Sequence, residues 1–96
     1  MARFDVHRGA GTYLLNCQAD FLDYLETRFV VPLVPASGTP RADRLNPIFT
    51  VEEEPVVMAT QLASAVPRRE LGQKVTSLSD EHSRILNALD MLISGY

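Results

Sequence analysis

The sequence predicts a small, mainly β protein with one C-terminal α-helix, built as an antiparallel barrel or curled sheet. Short runs of β-favouring residues, separated by turn residues, occupy the first two-thirds of the chain. An apolar stripe with helical spacing occupies its end. The length of 96 residues fits one domain with a modest core, which a second subunit would help to bury.

The first predicted element is a β-hairpin over residues 2–17. Its first strand alternates, so that Phe4 and Val6 share one face while the polar residues between and beside them share the other. The turn that follows is Arg8-Gly9-Ala10-Gly11, and its two glycines allow the positive φ angles that hairpin turns require. Residues 12–17 are the returning strand.

The middle of the chain predicts further short strands. Residues 19–26 predict either one turn of helix or apolar anchors in a loop. Residues 28–34 are the strongest strand, in which Pro32 favours an edge or a bend. Residues 35–46 predict the longest loop. After it come strands over 47–51 and 55–60, a short helical turn over 61–67 and a weak strand at 74–77.

The end of the chain predicts an amphipathic helix. Ser79 is the expected N-cap, and the two acidic residues after it suit the positive end of the helix dipole. Gly95 lies where a helix stop belongs. The apolar stripe consists of Ile85, Leu86, Leu89, Leu92 and Ile93.

Charge and composition limit the functions the chain can perform. Nine basic and twelve acidic residues give a formal net charge of −3, with the acidic excess after residue 44. This balance argues against a protein that grips nucleic acid by neutralising phosphates. A single cysteine, Cys17, excludes an internal disulfide. It fits a reducing cytoplasm, and no apolar run is long enough to cross a membrane.

No group of residues has the spacing of a catalytic or metal site. We expect the two histidines, His7 and His82, to be surface residues, and Cys17 to be a buried structural thiol. Asp20 and Asp23 are expected to cap a turn rather than to act as an acid–base pair, and Glu52–Glu54 to form a solvated turn. The sequence offers no convincing catalytic arrangement, which favours a binding protein over an enzyme. No cofactor is expected.

Several segments, taken in order, resemble the CcdB toxins of bacterial toxin–antitoxin modules. Residues 18–23 read Gln-Ala-Asp-Phe-Leu-Asp, and the strand 28–33 that follows reads Arg-Phe-Val-Val-Pro-Leu. The resemblance extends over nearly the whole chain. Its other segments are Leu45-Asn-Pro47, Met58-Ala-Thr60, residues 62–67, Leu71-Gly72, Leu78-Ser79 and Asn87-Ala88.

The resemblance implies a fold and a function. The fold is a Src-homology-3-like antiparallel barrel of the CcdB/MazF toxin type, in a single domain over 1–96 with the barrel at about 1–78 and the helix at about 79–93. The function is that of a homodimeric, non-enzymatic toxin that binds the DNA gyrase A subunit and traps the cleaved-DNA complex. A cognate antitoxin with an acidic tail neutralises such toxins.

The resemblance also implies the contact residues. The gyrase-binding surface maps to the C-terminal residues Asp90, Ser94, Gly95 and Tyr96 and to a supporting segment at Ala19, Phe21 and Leu22. The acidic antitoxin tail is expected at Arg28, Arg68 and Arg69. No direct contact with nucleic acid is expected.

Two alternative functions remain open from the sequence. Ser94 stands where the family has tryptophan, so one alternative is a diverged member that binds the antitoxin without poisoning gyrase. The other is a ribonuclease toxin of the MazF type, which needs an arginine beside a hydroxyl. Arg28 with Thr27, or Arg8 with Thr12, are the pairs that the sequence offers.

Overall fold

Seven antiparallel strands and one C-terminal helix make up the part of the chain that the computed structural model describes, residues 1–37 and 42–95. The mainly β prediction is therefore confirmed. Short 3₁₀ turns join several of the elements. The elements are β1 (Asp5–Gly9), β2 (Thr12–Asn16), β3 (Thr27–Pro35), β4 (Ile48–Val51), β5 (Glu54–Met58), β6 (Ser64–Pro67), β7 (Lys74–Ser77) and α1 (His82–Ser94).

Strand β3 organises the sheet, whose order is β4-β5-β3-β2-β1-β7. Its nine residues are long enough to pair with β2 along the middle, with β5 at the C-terminal end and with β6 at the N-terminal end. Because β3 pairs with three other strands, the sheet bends into a half-barrel. Pro32 sits at that bend, where its carbonyl oxygen accepts a hydrogen bond from the Ala59 amide at 2.9 Å.

The concave face of the sheet closes over one apolar core. Phe4, Val6, Leu15, Val31 and Leu33 supply the sheet side of this core. Helix α1 covers it with Ile85, Ala88 and Leu89. The first turn of the helix is fixed by Arg84, whose guanidinium donates to the Ile48 carbonyl at 2.9 Å and lies 4.7 Å from the centre of the Phe49 ring.

The opposite face of the sheet is also covered, and this corrects the expectation that His7 is a surface residue. His7 is buried because the connection between β6 and β7 lies across it. Its Nδ1–H donates to the Gly72 carbonyl at 2.9 Å, and the Gly72 amide donates to the Arg8 carbonyl at 2.7 Å. Gly72 permits this approach, since a Cβ there would lie 2.8 Å from the Arg8 oxygen.

Both tight hairpin turns form where the sequence predicts them. Ala10 and Gly11 link β1 to β2 with φ angles of 53° and 75°, and Glu52 and Glu53 link β4 to β5 with φ angles of 51° and 66°. Two consecutive residues at positive φ match the right-handed twist of the flanking strands. The turns lie within the predicted ranges, but Gly9 ends β1, Glu54 begins β5, and Ala10 rather than Gly9 takes the positive φ.

Two local predictions are wrong. Residues 61–67 hold strand β6 after a 3₁₀ turn at Thr60–Leu62, not only a helical turn. Ser79 does not cap the helix, because Ser79–Glu81 form a 3₁₀ turn and α1 begins at His82 without a side-chain cap. The predicted stop is confirmed, since Gly95 has a φ of 80° and its amide donates to the Met91 carbonyl at 2.9 Å.

No described helix has both the length and the apolar character that crossing a bilayer requires. The loop expected over 35–46 is only partly within the described residues, and Tyr96 lies outside them.

Candidate functional site

The segment between β2 and β3 exposes two aromatic side chains. It begins with a 3₁₀ turn at Asp20–Leu22, and the amides of Leu22, Asp23 and Leu25 each donate to the carbonyl three residues earlier. Phe21 lies in this turn and Tyr24 lies in the turn that follows it. Both are far from buried, with 79% and 75% of their surface exposed. We call this pair the aromatic ridge.

The two aspartates of the segment have partners outside the turn. Asp20 Oδ1 accepts a hydrogen bond from the Arg3 amide at 2.7 Å, which ties the segment to the N-terminus. Asp23 Oδ1 accepts from the Arg28 guanidinium. The expectation that these two aspartates cap a turn is therefore wrong, since no side chain caps the 3₁₀ turn at Asp20–Leu22.

Gln18 fastens the segment to strand β3. Its side-chain nitrogen donates to the Leu22 carbonyl at 3.0 Å, and its side-chain oxygen accepts from the Phe29 amide at 2.9 Å. The amide thus spans both ends of the loop. Phe29, which is itself partly exposed, is thereby held beside the segment that carries the aromatic ridge.

Arg28 holds the segment between β2 and β3 from the protein interior. Only 1% of its surface is exposed. Its guanidinium donates to the carbonyl oxygens of Leu25 (2.7 Å), Thr27 (2.9 Å) and Asp23 (2.9 Å), and it also forms an ion pair with the Asp23 carboxylate at 2.6 Å. We call this set of bonds the Arg28 clamp. Charge-assisted bonds to several acceptors compensate the cost of burying the cation.

The Arg28 clamp corrects two expectations from the sequence. A guanidinium enclosed by its own loop offers no surface to an acidic antitoxin tail, so Arg28 is not an antitoxin contact of the kind expected. For the same reason the pair Arg28 and Thr27 cannot receive an RNA phosphate. Arg28 is a positioning residue for the aromatic ridge.

The apolar stripe of helix α1 is buried in the earlier turns of the helix and exposed in its last turn. Leu92 follows Ala88 by one turn and Ile85 by two, so it lies on the core-facing side, yet it is 43% exposed. Ile93 is 78% exposed. The last turn of the helix therefore leaves the apolar side chains of Leu92 and Ile93 uncovered.

The expected gyrase-binding residues fall into two groups. Asp90, Ser94 and Gly95 lie exposed at this helix end, while Ala19, Phe21 and Leu22 lie on the ridge segment. The two groups are held by different parts of the protein. The ridge segment is hydrogen-bonded to β3 and to the N-terminus, whereas α1 packs against the Thr60–Leu62 turn. Tyr96, the remaining member of the set, is outside the described residues.

Arg68 and Arg69 are exposed and lie in a 3₁₀ turn after β6. The Arg68 amide donates to the Glu26 carbonyl at 2.8 Å, which brings this turn next to the end of the ridge segment. A groove passes between them, and we call it the basic groove. It is lined by Met1, Glu26, Thr27, Pro67, Arg68 and Arg69.

A second groove lies at the β1–β2 hairpin, where the sequence offered the pair Arg8 and Thr12. Glu52, which the sequence did not connect with that pair, bonds to two residues that line the groove. Glu52 Oε1 accepts bonds from the Arg8 guanidinium (2.7 Å) and from the Tyr13 hydroxyl (2.6 Å). The bond to Glu52 raises the pKa of Tyr13, which keeps the phenol protonated. Arg8, Thr12 and Tyr13 line this groove, which we call the Arg8 groove.

The remaining reactive groups are unsuited to chemistry. Cys17 is buried as expected, and burial raises the pKa of its thiol to about 12, so the nucleophilic thiolate does not form near neutral pH. His82 is exposed, as expected. Within residues 1–37 and 42–95, no three His, Cys, Asp or Glu side chains cluster in a way that could hold a metal ion.

Comparison with known proteins identifies a family and a shared fold. A family model described as CcdB protein matches residues 3–95. Among curated proteins, none matches the sequence.

Solved structures similar to this chain are toxins. A mycobacterial endoribonuclease in complex with its cognate antitoxin has a TM-score of 0.79 at 17% identity, covering 97% of this chain and 94% of that one. The Mycobacterium tuberculosis toxin MazF-mt6 has a TM-score of 0.77 at 14% identity, covering 93% and 95%. At such identities the likeness establishes the fold alone.

We expect that replacing Arg28 by methionine lowers the free energy of unfolding by about 2–3 kcal/mol, because three carbonyl groups lose a charged donor. Amide hydrogen exchange over residues 22–28 should accelerate by more than exchange in β1 or β2. Urea unfolding and exchange measurements on the purified protein check both effects.

The matched control is Arg69→Met, which removes an exposed guanidinium and should change stability by less than about 0.5 kcal/mol. Equal stability of the two variants would show that the Arg28 clamp does not hold the segment.

Proposed function

The chain belongs to the CcdB family and is a toxin of a toxin–antitoxin module, and from this premise we propose that it poisons DNA gyrase. In this proposal the toxin acts in the cytoplasm as a homodimer, binds the gyrase A subunit and traps the complex in which the DNA is cleaved. It works by occupying a surface and makes or breaks no covalent bond.

The observation that carries the proposal is the uncovered apolar end of helix α1. A soluble protein rarely leaves an apolar helix stripe in water unless another surface covers it. Ile85 and Leu89 form the buried part of the apolar stripe, and Leu92 and Ile93 continue that stripe into solvent. We infer that a second protein surface covers this helix end. This is the region to which the family resemblance assigns gyrase contact.

Ser94 and Asp90 change the chemistry of that region relative to the family. The resemblance places a tryptophan at the position of Ser94 and often an asparagine at that of Asp90, so this helix end lacks a large aromatic anchor and gains a negative charge. Aromatic anchors frequently dominate the energy of an interface. We propose that Leu92 and Ile93 supply the apolar contact at this helix end, and that Phe21 and Leu22 on the ridge segment supply a separate one.

We assign the antitoxin contact to the basic groove. Arg68 and Arg69 present two exposed guanidinium groups, and an acidic, extended peptide would pair with them. Because both partners are charged and solvent-exposed, the association rate should fall as salt increases. Arg28 takes no part in this contact.

We expect the variant Ile93→Asp to lose the stabilisation of cleaved DNA in a gyrase cleavage assay, and growth inhibition with it. A charge would then occupy the centre of the apolar contact. Because Ile93 is exposed, the free energy of unfolding should change by less than about 1 kcal/mol. Deletion of residues 94–96 should have the same effect on the assay.

The control for this experiment is Ser83→Asp, which places the same charge on the exposed first turn of the same helix. It should trap gyrase as well as the unmodified chain does. If Ile93→Asp traps gyrase equally well, or the unmodified chain stabilises no cleaved DNA, the gyrase proposal fails. Antitoxin binding without growth inhibition would identify the chain as a diverged, non-poisoning member.

A ribonuclease is the second candidate function, and the Arg8 groove is the observation that favours it. Arg8 offers a cation for a phosphate, and Glu52 offers a carboxylate that can take a proton from a ribose 2′-hydroxyl. The Tyr13 hydroxyl, which bonds to Glu52, is the group that could offer a proton to the leaving 5′-oxygen. The ion pair between Arg8 and Glu52 would have to open to admit the substrate.

Incubation of the purified chain with single-stranded RNA separates the two candidates. The gyrase proposal predicts no cleavage above the buffer control. Cleavage that is abolished by Arg8→Ala and retained in Arg69→Ala would establish the ribonuclease and overturn the binding-only mechanism.

A further inference from the structure

A pocket between helix α1 and the segment before β4 has no role in the proposed function. It holds about 280 Å³ and is lined by Asp43, Arg44, Pro47, Arg84 and Asn87. We call it the Arg84 pocket. Two guanidinium groups and one amide supply hydrogen-bond donors there, and the buried Pro47 supplies an apolar surface. A small hollow with a few polar groups beside an apolar contact is typical of ligand sites.

The helix side of the pocket is held in a fixed orientation. The Arg84 guanidinium donates to the Ile48 carbonyl at 2.9 Å and lies over the Phe49 ring, although 48% of the side chain is exposed. Asn87 follows Arg84 by three residues, which places both on one side of the helix. Because the guanidinium is already oriented, little conformational entropy is lost when a ligand binds it.

The opposite wall of the pocket is anchored by Asn46, which is 3% exposed. Its backbone amide donates to the Ala42 carbonyl at 2.7 Å, and its side-chain oxygen accepts from the Ala42 amide at 3.1 Å. Its side-chain nitrogen donates to the Met58 carbonyl at 2.9 Å. These bonds close the turn that carries Asp43 and Arg44 and fasten it to β5.

The charges of the lining favour an anion with a single charge. The lining contains two arginines, Arg44 and Arg84, against one aspartate, Asp43. The described bonds of the Arg84 guanidinium use two of its five N–H groups. Asn87 is exposed, and its side-chain nitrogen is a further donor. A carboxylate matches these donors with its two oxygens, whereas Asp43 disfavours a doubly charged phosphate.

Glu81 shows the kind of group that this guanidinium accepts. Nη1 of Arg84 donates to Glu81 Oε1 at 3.3 Å, and both side chains are partly exposed. An exposed pair of this kind contributes little stability in water. An incoming carboxylate can therefore replace Glu81, and removal of the Glu81 charge should favour the ligand.

We propose that the Arg84 pocket binds a carboxylate group, carried by a small organic acid or by an acidic side chain of a partner. The N–H groups of Arg84 hold the two oxygens, the Asn87 amide donates to one of them, and Arg44 adds positive charge. The pocket has room for a short carbon chain behind the carboxylate, so glutarate or a glutamate side chain fits it. The site is independent of the gyrase proposal and of the antitoxin contact at the basic groove.

The test is a nuclear magnetic resonance titration of the ¹⁵N-labelled chain at constant ionic strength. The ligands are acetate, its uncharged analogue acetamide, and glutarate. A glycine–serine peptide with blocked ends and one glutamate is matched by the same peptide with glutamine. We expect the carboxylates to shift the side-chain signals of Arg84 and Asn87 with about millimolar affinity, and acetamide and the glutamine peptide to leave them in place.

The order of affinities identifies the source of the carboxylate. Tighter binding of the glutamate peptide than of glutarate supports a side chain of a partner protein, and the reverse order supports a small acid. Equal shifts with acetamide, or tighter binding of inorganic phosphate than of acetate, would overturn the proposal.

Variants separate the pocket from a general effect of charge. Arg84→Gln should weaken glutarate binding on the order of fivefold or more, and Arg84→Lys, which keeps the charge but not the planar group, should weaken it less. Glu81→Gln should strengthen binding, because it removes a competing carboxylate. The control Arg69→Gln, which removes an exposed guanidinium outside the pocket lining, should bind as the unmodified chain does.

Arg84 also supports the helix, so a second variant tests the pocket without that role. Asn87→Ala lies at an exposed helix position and should weaken glutarate binding while its urea unfolding midpoint does not fall. Unchanged binding in both Arg84→Gln and Asn87→Ala, or an equal loss in Arg69→Gln, would contradict the proposal.

Discussion

One buried cation fixes the segment between β2 and β3. A guanidinium removed from water must find acceptors for its N–H groups, and Arg28 finds them in three carbonyl oxygens and the carboxylate of Asp23. All these acceptors belong to the five residues that precede it. The second half of the segment is thereby folded around the guanidinium, while Phe21 and Tyr24 stay exposed.

Much of the fold was predictable, because its signals are local. The glycine stop after α1 follows from the positive φ that glycine tolerates, and the helix follows from its apolar period. The two hairpins follow from the short β runs that flank them, since three of their four turn residues are not glycine. Strand β6 was missed because Ser64–Pro67 has no alternation of apolar residues and ends in a proline. The burial of His7 was missed for another reason: it depends on Gly72, which is distant in sequence and lies across the sheet.

The candidate site was only partly predictable. Phe21 and Leu22 were predicted from the family resemblance, which indicates the positions of contact residues but not what surrounds their side chains. Arg28 was interpreted as a surface cation, since no pattern in the sequence reveals that neighbouring carbonyls converge on it. Tyr24 was overlooked, because its exposure depends on how the chain turns after Leu22, which no local pattern reveals. The sequence predicted Arg8 and Thr12 as a pair but not their neighbour Glu52. Glu52 reaches Arg8 only when the β4–β5 turn folds beside the first hairpin.

A similar fold occurs in a mycobacterial endoribonuclease and in the toxin MazF-mt6, but a shared fold does not decide the mechanism. What decides it is which surface meets the target, the ridge segment with the helix end or the Arg8 groove. Hydrogen–deuterium exchange of the chain, alone and with gyrase A subunit on DNA, measures this directly. We expect protection of the amides at residues 20–25 and 91–95. Protection confined to residues 8–13 and 50–53, or none at all, would contradict the account.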